Sequence, residues 1–103
     1  MGQEAASVFS ATSETVGDRL QVVVAGEVDM ATADAMVQAA TREEAGRLVL
    51  DLRRVTFFDS AAIHAVVRLA GAYPASMTVF PSRQVRRVLD ISGLGEQPWL
   101  AAD

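Results

Sequence analysis

The stretch "FFDSAAIHAVV", residues 57–67, joins two hydrophobic patterns of different period. An extended apolar run ends at Phe58, and a pattern typical of a helix begins near Ala61. An acid and a hydroxyl, Asp59 and Ser60, stand at the junction, where the N-cap of the following helix is expected. The junction therefore predicts a strand that leads directly into a capped helix.

Strand signals lie on both sides of this junction. The run "RLVLDL" at 47–52 is almost continuously apolar, which is typical of a strand buried on both faces. "ASVFSATS" at 6–13 and "RLQVVVAGEVD" at 19–29 predict two more strands, and the turn signal "VGD" at 16–18 joins them into a hairpin. A fourth strand is predicted at 77–80, "MTVF".

Three helices alternate with these strands. The first is predicted over 31–46 with Gly46 at its C-terminal cap, and the second over about 60–71. The third opens at a plausible N-cap, Ser82, and closes at Gly93. The predicted buried residues are Ala33, Met36, Val37 and Ala40 in the first helix, Ile63, Val66, Val67 and Ala70 in the second, and Val85, Val88 and Leu89 in the third.

The resulting order β-β-α-β-α-β-α predicts one α/β domain over residues 1–103. Strands separated by helices imply right-handed crossovers and a mostly parallel core sheet, and the hairpin adds an antiparallel edge. In the tail, Trp99 is expected to pack back on the domain.

Composition excludes several kinds of function. The net charge of −4 argues against nonspecific binding to nucleic acid or to an anionic membrane. The chain has no cysteine and one histidine, which excludes disulfides, thiol chemistry and multi-histidine metal sites. It has no phosphate-binding glycine loop, so no nucleotide cofactor is expected. No apolar run suits membrane insertion, and no signal sequence is visible, so a cytoplasmic protein is expected.

The predicted second helix carries a polar stripe. Ser60, His64 and Arg68 are spaced i, i+4, i+8 and therefore share one face. Ala61 and Ala65 flank this stripe, and such small side chains let the backbone of another protein approach closely. The stripe is therefore a candidate docking surface.

Ser60 suits either a helix cap or a regulatory switch. If Asp59 caps the helix, Ser60 lies where unpaired N–H groups and the helix dipole favour an anion. A phosphate there is tolerated within the domain but adds roughly −1.5 to −2 charges to a surface that a partner could bury. Asp-Ser before a helix is a common capping sequence, so the residues alone favour a plain cap and leave the switch open. Catalysis by Ser60 with His64 is disfavoured, because no third group orients the base.

Three segments together resemble the STAS domain of bacterial anti-sigma factor antagonists. They are "VVVAGEVDMATA" at 22–33, "LVLDLRRVTFFDSAAI" at 48–63 and "VRRVLDISGLGE" at 85–96, in the family's order and spacing. The resemblance spans roughly residues 7–100. It implies a mixed sheet of four or five strands with helices packed mainly on one face.

The resemblance also implies a partner-switching function without catalysis. The unphosphorylated antagonist binds an anti-sigma factor of the serine-kinase type and frees a sigma factor. The kinase phosphorylates the hydroxyl that matches Ser60, which blocks binding, and a phosphatase reverses the modification. With the polar stripe included, the expected partner-binding residues are Asp29, Thr32, Asp59, Ser60, Ala61, His64 and Arg68.

The chain departs from the family pattern after Ser60. Ala61 removes a second hydroxyl, and Ala62-Ile63-His64 replaces the usual Gly-Leu-Gly. These changes are expected to add methyl groups and an imidazole to the docking face. STAS domains also serve in scaffolds and lipid-transport complexes, so a subunit of that kind without a phosphoswitch is the alternative function.

Overall fold

The computed structural model describes residues 9–102 and has the predicted order of elements. The strands and helices are β1 (Phe9–Val16), β2 (Arg19–Val28), α1 (Ala33–Thr41), β3 (Arg47–Phe58), α2 (Ser60–Ala72), β4 (Met77–Pro81) and α3 (Arg83–Ile91). The predicted start of the first strand, residues 6–8, lies outside the described residues.

The four strands form one mixed sheet in the order β1-β2-β3-β4. β1 and β2 pair antiparallel across a turn in which Gly17 has φ 63°, a conformation that glycine adopts without a Cβ penalty. β2 pairs with β3, and β3 with β4, in parallel. The predicted α/β fold with an N-terminal antiparallel hairpin is therefore confirmed.

The core lies on one face of this sheet. Leu48, Leu50 and Leu52 of β3 are buried, whereas Val49 and Asp51 between them are only partly covered. The prediction that this strand is buried on both faces was therefore wrong. The buried residues of all three helices belong to one cluster with the inward residues of the strands, and no second layer covers the outer face in the described part of the chain.

The first helix is shorter than predicted. α1 ends at Thr41, and Gly46 lies in the connection to β3 and not at a helix cap. The N–H of Gly46 donates to the carbonyl oxygen of Asp18 at 2.8 Å. A Cβ added at Gly46 would lie 2.8 Å from Oδ2 of Asp18, so the glycine serves this close approach and not a helix end.

The second helix has a different buried face from the one predicted. Its buried residues are Ala62, Ala65, Val66 and Leu69. Of the predicted set only Val66 is fully buried, while Val67 is 45% exposed. The helix is therefore turned by about one residue, or roughly 100°. The alanines face inward because small side chains let α2 approach its neighbours closely, which a count of large apolar residues does not reveal.

The third helix and the tail follow the prediction more closely. Ser82 caps α3, with its Oγ accepting from the N–H of Val85 at 3.1 Å. Gly93, at φ 83°, ends the helix. The carbonyl oxygen of Trp99 accepts from the N–H of Val79 at 2.8 Å, so the tail does pack back, along the free edge of β4.

Candidate functional site

The two acids of the expected docking surface lie side by side at the ends of β2 and β3. Val28 and Phe58 are register partners, and the N–H of Asp59 donates to the carbonyl oxygen of Val28 at 3.3 Å. Because parallel strands end at the same edge of a sheet, Asp29 and Asp59 follow these strands at the same level. Both line a shallow groove of about 490 Å³ together with Met30, Ala31 and Phe57.

Asp29 organises the loop that leads into α1. Its Oδ1 accepts from the backbone N–H groups of Ala31, at 2.9 Å, and Thr32, at 3.2 Å. The Thr32 hydroxyl accepts from the N–H of Asp29 and lies 2.9 Å from the carbonyl oxygen of Glu27. Thr32 is therefore half-buried beneath the groove, where it holds Asp29 in place.

Asp59 caps α2, as predicted. Its backbone is extended, and its Oδ1 accepts from the N–H of Ala62 at 3.1 Å. Its carbonyl oxygen accepts from the N–H of Ile63 at 3.0 Å. The cap leaves Ser60 as the first residue of the helix, and Ser60 is exposed. Its hydroxyl is thus accessible to a modifying enzyme beside the groove.

The two acids share one arrangement of their carboxylate oxygens. In both Asp29 and Asp59, Oδ1 carries the side-chain hydrogen bonds that shape the local backbone. Within residues 9–102, the side-chain hydrogen bonds of both carboxylates are made through Oδ1 and none through Oδ2. Each acid therefore shapes its local backbone with one oxygen at a position that lines the groove.

The exposed face of α2 carries the predicted polar stripe. Ser60, His64 and Arg68 are all exposed, with Val67 among them. Nη1 of Arg68 lies 3.8 Å from Oδ1 of Asp34 on α1, and both side chains are mostly in solvent. A pair so exposed contributes little to stability, so Arg68 stays available to a partner.

The alanines beside this stripe are placed differently from one another. Ala61 is partly buried against the core, whereas Ala65 is 3% exposed and cannot contact a docked protein. The sequence predicted that the methyl group of Ala62 lies on the docking face, but Ala62 is fully buried. Among the residues that depart from the family pattern, His64 has a large side chain and is exposed.

Two apolar side chains at the groove escaped the sequence prediction. Met30 is 83% exposed and Phe57 is 45% exposed. The strand alternation contained a signal for Phe57, because Phe58 is buried and consecutive strand residues face opposite sides. Met30 had no comparable signal, since a turn has no such period. Together they give the acidic groove an apolar floor that a partner can cover.

The described residues contain no group of three or more His, Asp or Glu side chains that could hold a metal ion. None of the helices described is long and apolar enough to cross a membrane. The side chains at this edge include two half-buried carboxylates together with an exposed hydroxyl, an exposed imidazole and two exposed apolar side chains.

Comparison with known proteins identifies a family and structures of similar fold. A family model described as "Mlab, STAS domain" matches residues 11–101. The crystal structure of an anti-sigma factor antagonist from Mycobacterium paratuberculosis superposes with a TM-score of 0.80 at 25% identity, covering 92% of this chain and 86% of that one. None of the curated proteins matches the chain in sequence.

Two structures of the anti-sigma factor antagonist SpoIIAA share the fold. The unphosphorylated form has a TM-score of 0.71 at 23% identity, covering 89% of this chain and 86% of that one. The phosphorylated form, from Bacillus, has a TM-score of 0.68 at 22% identity, covering 89% of each chain. Identities this low support the architecture and leave the function to be argued from the site.

Proposed function

Because this chain belongs to the STAS domain family, we propose that it is an anti-sigma factor antagonist, a binding module and not an enzyme. The observation that carries the proposal is the groove between Asp29 and Asp59, with the exposed Ser60 directly beside it. In its unphosphorylated form the protein binds an anti-sigma factor of the serine-kinase type in the cytoplasm and so releases a sigma factor. Phosphorylation of Ser60 blocks this binding, and a phosphatase restores it.

The groove supports docking through two kinds of contact. Met30 and Phe57 offer exposed apolar surface, and covering it gains about 25 cal/mol per Å². The Oδ2 atoms of Asp29 and Asp59 offer acceptors to donors of the partner. Charged acceptors fix orientation and steer association, while the apolar side chains supply area, so the two contacts complement each other.

A phosphate on Ser60 would change this surface without unfolding the domain. It lies at the N-terminus of α2, where the helix dipole favours negative charge. It would also add roughly −1.5 to −2 charges beside the carboxylates of Asp59 and Asp29. A partner that binds those two acids would then have to bury a third anionic group, which costs affinity.

His64 is proposed to select the partner. It lies near the middle of the exposed face of α2, one turn after Ser60. A partner whose surface lies flat against this helix has no room for an imidazole. The cognate anti-sigma factor must therefore have a recess or an acceptor at this position.

Incubation with the cognate serine kinase and ATP tests the switch. Mass spectrometry is expected to find one phosphate, on Ser60, and none on the Ser60→Ala variant. Thr32, the hydroxyl beside Asp29, is half-buried and already hydrogen bonded, so it is expected to stay unmodified. Phosphate on another residue, or none at all, would contradict the proposed switch.

Calorimetry with the anti-sigma factor tests the consequence. Ser60→Asp is expected to weaken binding by about tenfold or more, which corresponds to about 1.4 kcal/mol. Ser60→Ala is the matched control, since it removes the hydroxyl without adding charge, and it should bind like the unmodified protein. If the unmodified protein and both variants bind the anti-sigma factor with equal affinity, docking occurs without a phosphoswitch.

A second candidate is a STAS subunit of a scaffold or lipid-transport complex without a phosphoswitch. It is favoured by the family model, whose description names Mlab and no antagonist. It is also favoured by Ala61 and His64, which depart from the antagonist pattern beside Ser60. The kinase experiment separates the two candidates, because this one predicts that Ser60 is never modified.

A further inference from the structure

The sheet edge opposite the groove carries a pair of adjacent arginines. Arg19 opens β2 and Arg47 opens β3, and the two are register partners on parallel strands. Neighbouring strands lie about 4.8 Å apart, so the two side chains start close together. The next residues, Leu20 and Leu48, are both buried toward the helices, so alternation directs both arginines to the open face.

Neither arginine is neutralised by the part of the protein that the structure describes. The ion pairs there join Arg53 to Asp51 and Arg68 to Asp34, and neither involves the paired arginines. Asp18 precedes Arg19, and its carbonyl oxygen accepts from the N–H of Arg47 at 3.1 Å, while Glu14 lies diagonal to Arg19 on β1. Neither acid makes an ion pair with Arg19 or Arg47 in the described residues. Like charges placed opposite each other on neighbouring strands are destabilising, so a bound anion would lower the cost of this pair.

A groove of about 270 Å³ runs beside the pair. Arg19 and Arg47 line it together with Ser76 and Thr78 at the start of β4. Ala75, also in its wall, has φ 60°, a left-handed conformation that is uncommon for a residue with a Cβ. This turn precedes Ser76, whose carbonyl oxygen accepts from the N–H of Leu48 at 3.0 Å. The two arginines and the two hydroxyl-bearing residues thus line one space.

We propose that this groove binds a compact oxyanion of the phosphate class. Guanidinium groups present forked donors that match the oxygens of phosphate, and hydroxyl groups can donate to the remaining ones. The bound charge would also remove the repulsion between Arg19 and Arg47. β2 has ten residues, so its two ends are roughly 30 Å apart. The site is therefore distinct from the Ser60 edge and does not depend on the antagonist function.

The ligand could be free phosphate or the phosphate group of a small monoester, which share this chemistry. NMR titrations with inorganic phosphate and with glycerol 1-phosphate, at matched ionic strength with chloride as reference, distinguish the two. Saturable shifts of the Arg47, Ser76 and Thr78 amides are expected with at least one ligand, and the tighter ligand identifies the source. No saturable shift with either would overturn the proposal.

Substitutions locate the site. Arg47→Gln is expected to lower the phosphate affinity about tenfold or more, because it removes a charge-assisted contact. Arg87→Gln, an exposed arginine on α3, is the matched control and should leave the affinity unchanged. Equal losses in the two variants would show nonspecific attraction of anions and contradict a built site.

Thermal unfolding gives a second measurement that tests the repulsion. Arg19→Gln is expected to raise the Tm in the absence of phosphate, because it relieves the like-charge pair. The same variant should lose most of the increase in Tm that phosphate causes in the unmodified protein. A lower Tm without phosphate, or an undiminished response to phosphate, would contradict the proposed function of the pair.

Discussion

Asp59 serves both the fold and the groove. Oδ1 and the backbone carbonyl oxygen hold the first turn of α2, and the residue also lines the groove. Asp29 combines the same two roles at the end of the neighbouring strand. The acids that a partner would recognise are therefore positioned by the hydrogen bonds that also start the two helices.

Substitution of Asp59 separates its structural function from its charge. Asp59→Ala is expected to lower the free energy of unfolding by about 1 kcal/mol, within a range of about 0.5–2, because the N–H of Ala62 loses its cap. Asp59→Asn should retain most of the stability, since asparagine caps about as well as aspartate. Urea denaturation measures both variants.

The outcome for Asp59→Asn also bears on docking. If Oδ2 accepts a donor from the anti-sigma factor, Asp59→Asn should bind more weakly although it is folded and capped. For stability, equal losses in Asp59→Ala and Asp59→Asn would contradict the contribution assigned to the cap hydrogen bond.

At the scale of elements, the rotation of α2 determines which residues can contact a partner. Ala62 and Ala65 belong to the buried face, so they do not widen the exposed face of α2 that a partner could contact. The exposed face keeps Ser60 and His64 and adds Val67. A docked protein therefore contacts a polar stripe that carries one apolar side chain, Val67, and it does not reach Ala62 or Ala65.

Two substitutions on opposite faces of α2 test this rotation. Ala62→Leu is expected to destabilise the protein by about 1–3 kcal/mol, because Ala62 is fully buried and has no room for extra methylenes. Val67→Ser, at a position 45% exposed, should change the stability by no more than about 0.5 kcal/mol. The originally predicted face would give the larger loss at Val67, and urea denaturation discriminates between the two results.

At the scale of the whole molecule, Tyr73 joins the helices that flank the candidate site. It is buried at the end of α2, and its hydroxyl donates to the carbonyl oxygen of Ala40 on α1 at 2.8 Å. Burial raises the pKa of Tyr73 above its usual value of 10.0. It is the chain's single tyrosine, and no lysine or cysteine is present, so above about pH 9 it is the one side chain that titrates before the arginines.

Alkaline unfolding should therefore report on Tyr73 alone. The unfolded chain ionises first, at a pKa near 10.0, so the stability that depends on neutral Tyr73 is complete below that pH. It is lost as the pH rises from there through the higher pKa of the folded state. Tyr73→Phe should remove this loss and cost about 1 kcal/mol at neutral pH. Urea denaturation from about pH 8 to 11 provides the test, and a loss that persists in Tyr73→Phe would contradict it.

The two edges of the sheet carry opposite charges although the chain as a whole is acidic. Carboxylates follow the carboxyl ends of β2 and β3, and Arg19 and Arg47 begin the same strands. A net charge of −4 argues against nonspecific binding to nucleic acid or to an anionic membrane, but a net charge sums over the molecule and does not describe one edge of it. Parallel pairing creates both clusters, since it places equivalent ends of neighbouring strands together.

The sequence by itself determined the order of elements, the hairpin and the caps at Asp59 and Ser82. These features depend on the local hydrophobic period and on hydrogen bonds between residues a few positions apart in the chain. It also predicted that Asp29 and Asp59 belong to one surface, through the resemblance of their two segments to one family. The STAS fold was implied by the resemblance of three segments, in their order, to that family.

Only the tertiary structure decided which faces are buried and which side chains meet. β3 looks apolar enough for two layers, yet helices cover one face, and Val49 stays partly exposed. α2 buries its alanines because small side chains allow close packing against neighbouring elements. A prediction from hydrophobic periodicity gives alanine little weight. The exposed Met30 and the pairing of Arg19 with Arg47 likewise depend on residues brought together from distant segments, and no local pattern encodes that proximity.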